Sequence, residues 1–429
     1  MKKNLLGTFS VIVLLGVAGV ANAGVWTWNN TDGLWSDTNN WAGGSAPNGT
    51  DNTDQLIFGD NAGQIYTAVN DIPGPTVLNQ ITLNGTTAGI THTNIGNQIQ
   101  FAGIGPQLQQ NGANNFIFQN DVNLAADTTF GGSGSGTVTI SGVIDGAGLI
   151  KNGGGVLELT GNNTYSGGTT VTNGTLTVNN ATGPGTSGTG SGAVTVNNLG
   201  HINGSGTISG GITVNGGGLV NGSVTVHNGA TVNSGGTLGG NASVSGNATI
   251  NSGGNLAGNV QVTGGLTVKS GGTITPGGDG VAGIVTADSA VINGGAIYHW
   301  DRLGTGGPGV GWDLLNINAG VLDLSGLSAT PGNTFVIDIN GTSALGTYQI
   351  AEAFGGITGI FNPADFTLNN YAGGPGYWTI SEVNLGGSAQ ALDLTYSIPE
   401  PSMAMLWCVG LGLLGLRFVL HRRAGLATS

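Results

Sequence analysis

Between Val196 and Ile274 a branched apolar residue recurs every six positions: Val196, Ile202, Ile208, Val214, Val220, Val226, Val232, Leu238, Val244, Ile250, Leu256, Val262, Val268 and Ile274. The residues between them are mostly Gly, Asn, Ser and Thr. A period of eighteen overlies the period of six, because Gly204, Gly222, Gly240 and Gly258 stand two residues after every third apolar position. Ser-Gly-Gly likewise returns at Ser234, Ser252 and Ser270. Six residues per side and three sides per turn predict a triangular parallel β-solenoid, with one apolar side chain per side turned inward and glycine at the corners. Stacking would align those side chains in columns and bury a core that no single coil buries alone.

Two further apolar runs lie near the ends. Lys2 and Lys3 precede an uncharged run from Leu5 to Val20, which ends in Ala21-Asn22-Ala23. A basic start, an apolar middle and small residues at the cut predict a signal peptide over residues 1–23, with Ala21 and Ala23 presented to signal peptidase. The second run, Met403 to Leu420, is broken only by Arg417 and is followed by Arg422 and Arg423. It predicts a transmembrane helix over 403–420, just long enough for a hydrocarbon core of roughly 30 Å. The basic residues beyond it favour the cytoplasm, which leaves the large domain outside the inner membrane.

Composition sharpens this picture. The chain has 86 glycines in 429 residues, without the strict triplet period of collagen, and only 7% charged residues. Val, Ile and Thr are plentiful, which argues for many short strands instead of disorder. Between Gly24 and Pro401 three basic residues face all 21 carboxylates, a formal charge of −18. Such a surface repels phosphate backbones and excludes nucleic acid as a partner. The single cysteine, Cys408, lies in the C-terminal apolar run, so no intrachain disulfide forms.

The C-terminal residues Pro399-Glu400-Pro401, the apolar run and Arg422-Arg423 resemble the PEP-CTERM sorting signal of Gram-negative bacteria. That resemblance implies recognition and cleavage near the triplet by an exosortase, after an inner-membrane stage, with delivery to the cell surface or the exopolysaccharide matrix. Upstream, Gly148-Leu149-Ile150-Lys151, Gly155 to Gly161, Asn163-Thr164-Tyr165-Ser166-Gly167-Gly168-Thr169 and Gly174 to Val178 resemble the autotransporter-associated β-strand repeat. That unit implies a β-helical passenger. The hexad period hints at a left-handed solenoid and the passenger resemblance at a right-handed one, and the right-handed form is the expectation.

Candidate chemistry is sparse. Lys151, Lys269 and Arg302 are the basic residues of the exported part, and residues 193–276 contain no Asp or Glu. A polysaccharide hydrolase needs paired carboxylates on one face, and a lyase needs a base beside a carboxylate-held acidic sugar. His299-Trp300-Asp301-Arg302 is the densest polar cluster and reads as a loop, while His92, His201 and His227 read as surface residues. Asp51 and Asp54 read as a solvated acidic turn, with weak calcium binding as the alternative. No zinc spacing, phosphate loop or nucleophile elbow is present, so neither cofactor nor metal is expected. Trp26, Trp28, Trp35 and Trp41 have two readings: packing of a cap, or stacking on sugar rings.

The expected organisation is an all-β chain: signal peptide (1–23), N-terminal capping region (24–135), passenger-type repeat (136–180), regular solenoid (190–277), sandwich-like C-terminal region (278–396) and sorting signal (397–429). The expected role is a non-catalytic structural or adhesive surface or matrix protein. A carbohydrate-binding module using the Trp-rich cap is the alternative, and an exported polysaccharide lyase or hydrolase stands third.

Overall fold

A computed structural model describes residues 23–29, 31–60 and 63–399. They form β-strands and two short 3₁₀ turns, Thr38–Asn40 and Pro363–Asp365, without an α-helix. Strand pairing is parallel from the first strand, Val25–Thr27, to Phe366–Asn370.

The regular segment has the three sides that its period predicts. One side stacks Ile212–Val214, Ala230–Val232 and Ala248–Ile250. The second stacks Leu219–Gly222, Thr237–Gly240, Asn255–Gly258 and Thr273–Pro276. The third stacks Thr207–Ile208, Thr225–Val226 and Ser243–Ser245. Each residue pairs with the one eighteen positions on, as in Val214↔Val232↔Ile250. All fourteen residues of the six-residue period are buried, none more than 1% exposed. Each strand is just long enough to turn one or two branched side chains inward, so the core is a stack of Val, Ile and Leu columns.

The solenoid extends well beyond this segment on both sides. Residues 24–135, expected as a separate cap, are themselves wound into coils: Leu56 pairs with Ile81, Ile81 with Leu108, and Leu108 with Phe130. A four-stranded sheet of Thr76–Leu78, Ile99–Phe101, Val122–Leu124 and Ile144–Gly146 forms another side. These coils are longer than eighteen residues and vary in length, which hides their repeat in the sequence. Their wider cross-section is filled by larger side chains, including Phe58, Phe101, Phe116, Phe118 and Phe130, all buried.

In the C-terminal region, read as final coils plus a sandwich-like cap, the coils continue and the last strands form an antiparallel ribbon in place of a sandwich. Thr273–Pro276, Ile297–Arg302, Phe335–Gly341 and Phe366–Asn370 continue one side of the solenoid in parallel. Insertions between these strands stretch the coils and loosen the spacing, while Tyr298, Trp300 and Phe335 fill the wider interior. Between full strands, antiparallel pairing enters only at the end. Ala389–Ser397 lies between Gly346–Ala353 and Tyr377–Gly386 and pairs antiparallel with both. This reversal closes the last coil and occupies the strand edge that a parallel stack would leave open.

Candidate functional site

Three polar or aromatic groupings merit examination as sites. The first is the Trp-rich N-terminus. Trp28, Trp35 and Trp41 are 1%, 0% and 1% exposed. Trp41 meets Trp28 edge-on at 4.9 Å and Trp35 at 6.1 Å, and all three rings lie within 6.0 Å of Phe58. The indole of Trp41 donates to the Trp35 carbonyl over 2.7 Å, and that of Trp28 to the Thr31 carbonyl over 3.1 Å. The sugar-stacking expectation fails for these three residues, since their faces are spent on each other and no ring is free to meet a saccharide. Trp26 differs: it is half-buried and packs against the edge of the core.

The second grouping is His299 to Arg302, which lies on the strand Ile297–Arg302 and not in a loop. Strand alternation puts His299 and Asp301 on one face and Trp300 and Arg302 on the other. His299 faces outward, with Nε2 3.6 Å from Asp338 Oδ2. Trp300 faces the core and donates to the Asp313 carbonyl over 2.9 Å. Asp301 accepts from the Gly280 amide over 2.8 Å, and Asp313 accepts from the amides of Gly283 and Asp301 over 2.8 and 2.9 Å. Burial pushes the Asp313 carboxyl up to about 8 and that of Asp301 upward as well. Arg302 donates to the carbonyl and hydroxyl of Thr342, and its guanidinium lies 4.9 Å over the Tyr348 ring. These contacts tie loops to the solenoid wall.

The third grouping is the repeat around Tyr165. Leu149–Leu159 and Thr169–Val178 pair in parallel, from Leu149↔Thr169 to Leu159↔Val178. Between them Tyr165 is fully buried, its hydroxyl 2.6 Å from Thr169 Oγ1. Asn163 bridges neighbouring coils, accepting from the Ile144 amide over 2.8 Å and donating to the Gly188 carbonyl over 2.6 Å. The most distinctive residues of this motif therefore hold coils together. Lys151 belongs with them: its Nζ is buried and donates to the carbonyls of Gly153 and Asn173 over 2.5 and 3.1 Å. Burial without an opposing carboxylate pulls its pKa down to about 8.

Two readings of isolated polar residues are corrected by burial. His92 is fully buried, stacked on Tyr66 at 4.1 Å, with Nε2 2.8 Å from the Asn114 amide nitrogen. Its strand turns it inward, a fact that a lone His in a polar sequence does not reveal. Asp54 is also buried, and desolvation raises its carboxyl to about 6, so it does not belong to a solvated turn. His201 is exposed and His227 half-buried. Among the described residues no group of three His, Cys, Asp or Glu side chains could hold a metal ion.

Ala23 and Pro399 are exposed. Ala21, Glu400, Pro401, Arg422, Arg423 and the 403–420 helix lie outside the described residues. Among the described residues no helix is long and apolar enough to cross a membrane.

Comparison with known proteins places two of these features. Residues 149–178 match the family profile of the passenger-associated-transport repeat, which in the fold is the paired unit around Tyr165. Residues 397–423 match the PEP-CTERM protein-sorting motif. Over 174 residues the chain is 32% identical to the adhesin BmaC autotransporter of Brucella suis biovar 1. That match covers 40% of this chain and 4% of the adhesin, so the chain spans only a small part of that protein's length. The chain thus carries a passenger-type β-solenoid repeat and, following its last strand, a PEP-CTERM sorting motif.

Proposed function

We propose that this chain is an exported, non-catalytic, adhesin-like structural protein of the cell surface or exopolysaccharide matrix. One observation carries the reading: parallel strand stacking runs coil after coil from Val25 to Asn370, and the sorting motif begins at residue 397, where the closing strand ends. The folded part is thus a stack of coils, and the adjoining segment is a sorting address. Signal peptidase removes residues 1–23, and the 403–420 helix holds the chain in the inner membrane with the solenoid on the periplasmic side. Exosortase then acts at Pro399-Glu400-Pro401 and releases it outward. The adhesin-like likeness, and the use of Asp301 and Asp313 as hydrogen-bond acceptors that hold the 277–283 loop, support a scaffold over a polysaccharide-degrading enzyme.

Mass spectrometry of the C-terminus, on protein recovered from cells with and without their exosortase, tests the sorting step. The expected result is a chain shortened near Pro399-Glu400-Pro401 only where the exosortase is active. A chain still ending at Ser429 in exosortase-competent cells would refute it.

A further inference from the structure

On the regular coils the outward surface of each side is a plain sheet face. At the point where the eighteen-residue period stops, residues 277–283 leave the stack and rise beside the strands Thr273–Pro276 and Ile297–Arg302. The loop is anchored at two points, by Asp301 on the Gly280 amide and by Asp313 on the Gly283 amide, both over 2.8 Å. Together with the sheet face it encloses an open groove of about 340 Å³. Asn255, Thr273 and Thr275 form the floor above the Gly253-Gly254 corner, and Asp279 and His299 stand at the sides.

These side chains are held in place by their neighbours along the solenoid. Thr275 Oγ1 donates to Asn255 Oδ1 over 3.1 Å. His299 is oriented by Asp338, and Asp338 accepts in turn from the Asn369 amide over 2.8 Å. His299, Asp338 and Asn369 are direct register partners on successive coils. Insertions in a repeat architecture fall on the face that binds, and this loop interrupts the most regular stretch of the chain.

The lining chemistry selects a ligand class. It consists of hydroxyls, a carboxamide, an imidazole and a carboxylate, without an apolar side chain to anchor a peptide and without Lys or Arg to hold an anion. Asp279 and Asp338 add to a strongly acidic surface and repel uronate, sulfate and phosphate groups. Closely spaced donors and acceptors in a groove of this volume match the hydroxyls of a short run of sugar rings. We propose that the groove between the 277–283 loop and the face bearing Thr273, Thr275 and His299 is a saccharide site that takes an uncharged glycan segment. The proposal deepens the matrix-protein reading and rests on it. It is independent of Trp28, Trp35 and Trp41, which pack the first coil.

Isothermal titration of the chain recovered from cells tests this, using tetrasaccharides of neutral glucan, mannan and galactan and of galacturonate. The expected result is that at least one neutral oligosaccharide binds, and the galacturonate binds at least tenfold more weakly. Asp279→Ala and His299→Ala, both surface changes, should each weaken the neutral ligand at least fivefold without moving the thermal midpoint. Trp26→Ala should leave binding unchanged. Binding by none of the three neutral probes would overturn the site, as would binding indifferent to both variants or a preference for galacturonate. Processing at the sorting motif is read by C-terminal mass, so a failed titration leaves that result standing.

Discussion

Asn233 donates its side-chain amide to Asn215 Oδ1 over 2.7 Å, one coil away. Asn215 makes the same bond to Asn197, and Asn251 to Asn233, each over 2.7 Å. The amides form a ladder along the solenoid axis, each accepting from one neighbour and donating to another, as stacked identical side chains do in cross-β assemblies. The next position, eighteen residues on, is Lys269, and the ladder stops there. Asn233→Ala removes two such bonds and should cost about 1–3 kcal/mol, seen as a lower urea midpoint. Lys269→Asn adds a rung and should stabilise by about 0.5–1.5 kcal/mol. A midpoint unchanged in both variants would mean that the ladder contributes nothing to stability.

Gly235 has φ +75°, within a column of Gly217, Gly235, Gly253 and Gly271 at +73° to +75°. An L side chain there meets its own carbonyl, so Gly235→Ala should lose roughly 1–2 kcal/mol. Gly154 has ordinary φ and open space where a Cβ would sit. Gly154→Ala should be neutral or stabilise by up to about 1 kcal/mol, through a less flexible unfolded chain. Paired thermal melts of the two variants check the contrast.

Trp41 sits at the centre of the aromatic group that fills the first coil. Trp41→Ala should cost about 3–5 kcal/mol, because its cavity opens onto Trp28, Trp35 and Phe58. Protease should then clip the N-terminal coils before the regular segment. Cleavage patterns followed by peptide mass mapping would show this, and uniform digestion along the chain would contradict it.

Lys151 makes stability pH-dependent. Its folded pKa, about 8, lies below the ordinary lysine value of 10.5. Below pH 8 both states carry the proton, and the full cost of burying the ammonium is present. Between pH 8 and 10.5 the folded state sheds the proton first, so this group's penalty is relieved as pH rises. Urea midpoints of wild type should therefore rise relative to Lys151→Met across that window. Parallel curves for the two proteins would show that Lys151 does not titrate as its burial dictates.

Much of this was legible before any coordinates. The six-residue period named fourteen inward residues of the regular coils, because every coil there has the same length, but not the second inward residue of many sides, such as Ile212, Val224, Ala248 and Leu266. The Asn-Thr-Tyr-Ser-Gly-Gly run and the Pro-Glu-Pro tail were equally visible, since each is a local string. The flanking coils were not. Between Leu56 and Ile81 the step is 25 residues, and between Tyr298 and Ile337 it is 39. Without a fixed step, the first series reads as a capping region and the second as final coils that end in a sandwich-like cap.

The candidate sites show the same division. The aromatic N-terminus stands out in the sequence, yet only packing decides that Trp28, Trp35 and Trp41 are turned into the core. His92 was read as exposed because nothing local says which way its strand turns. His299 shares its face of the strand with Asp301, while Trp300 and Arg302 alternate to the other. The partner of His299, Asp338, lies 39 residues on.

By itself the sequence determined the fold class, the inward columns and the sorting motif, since these follow from short-range periodicity and contiguous residues. Tertiary structure decided coil length outside the regular segment, the closure by Ala389–Ser397, the burial of His92 and Lys151, and the groove at His299. Those depend on which distant strands stack in register, and insertion lengths set that register without leaving a pattern in the chain.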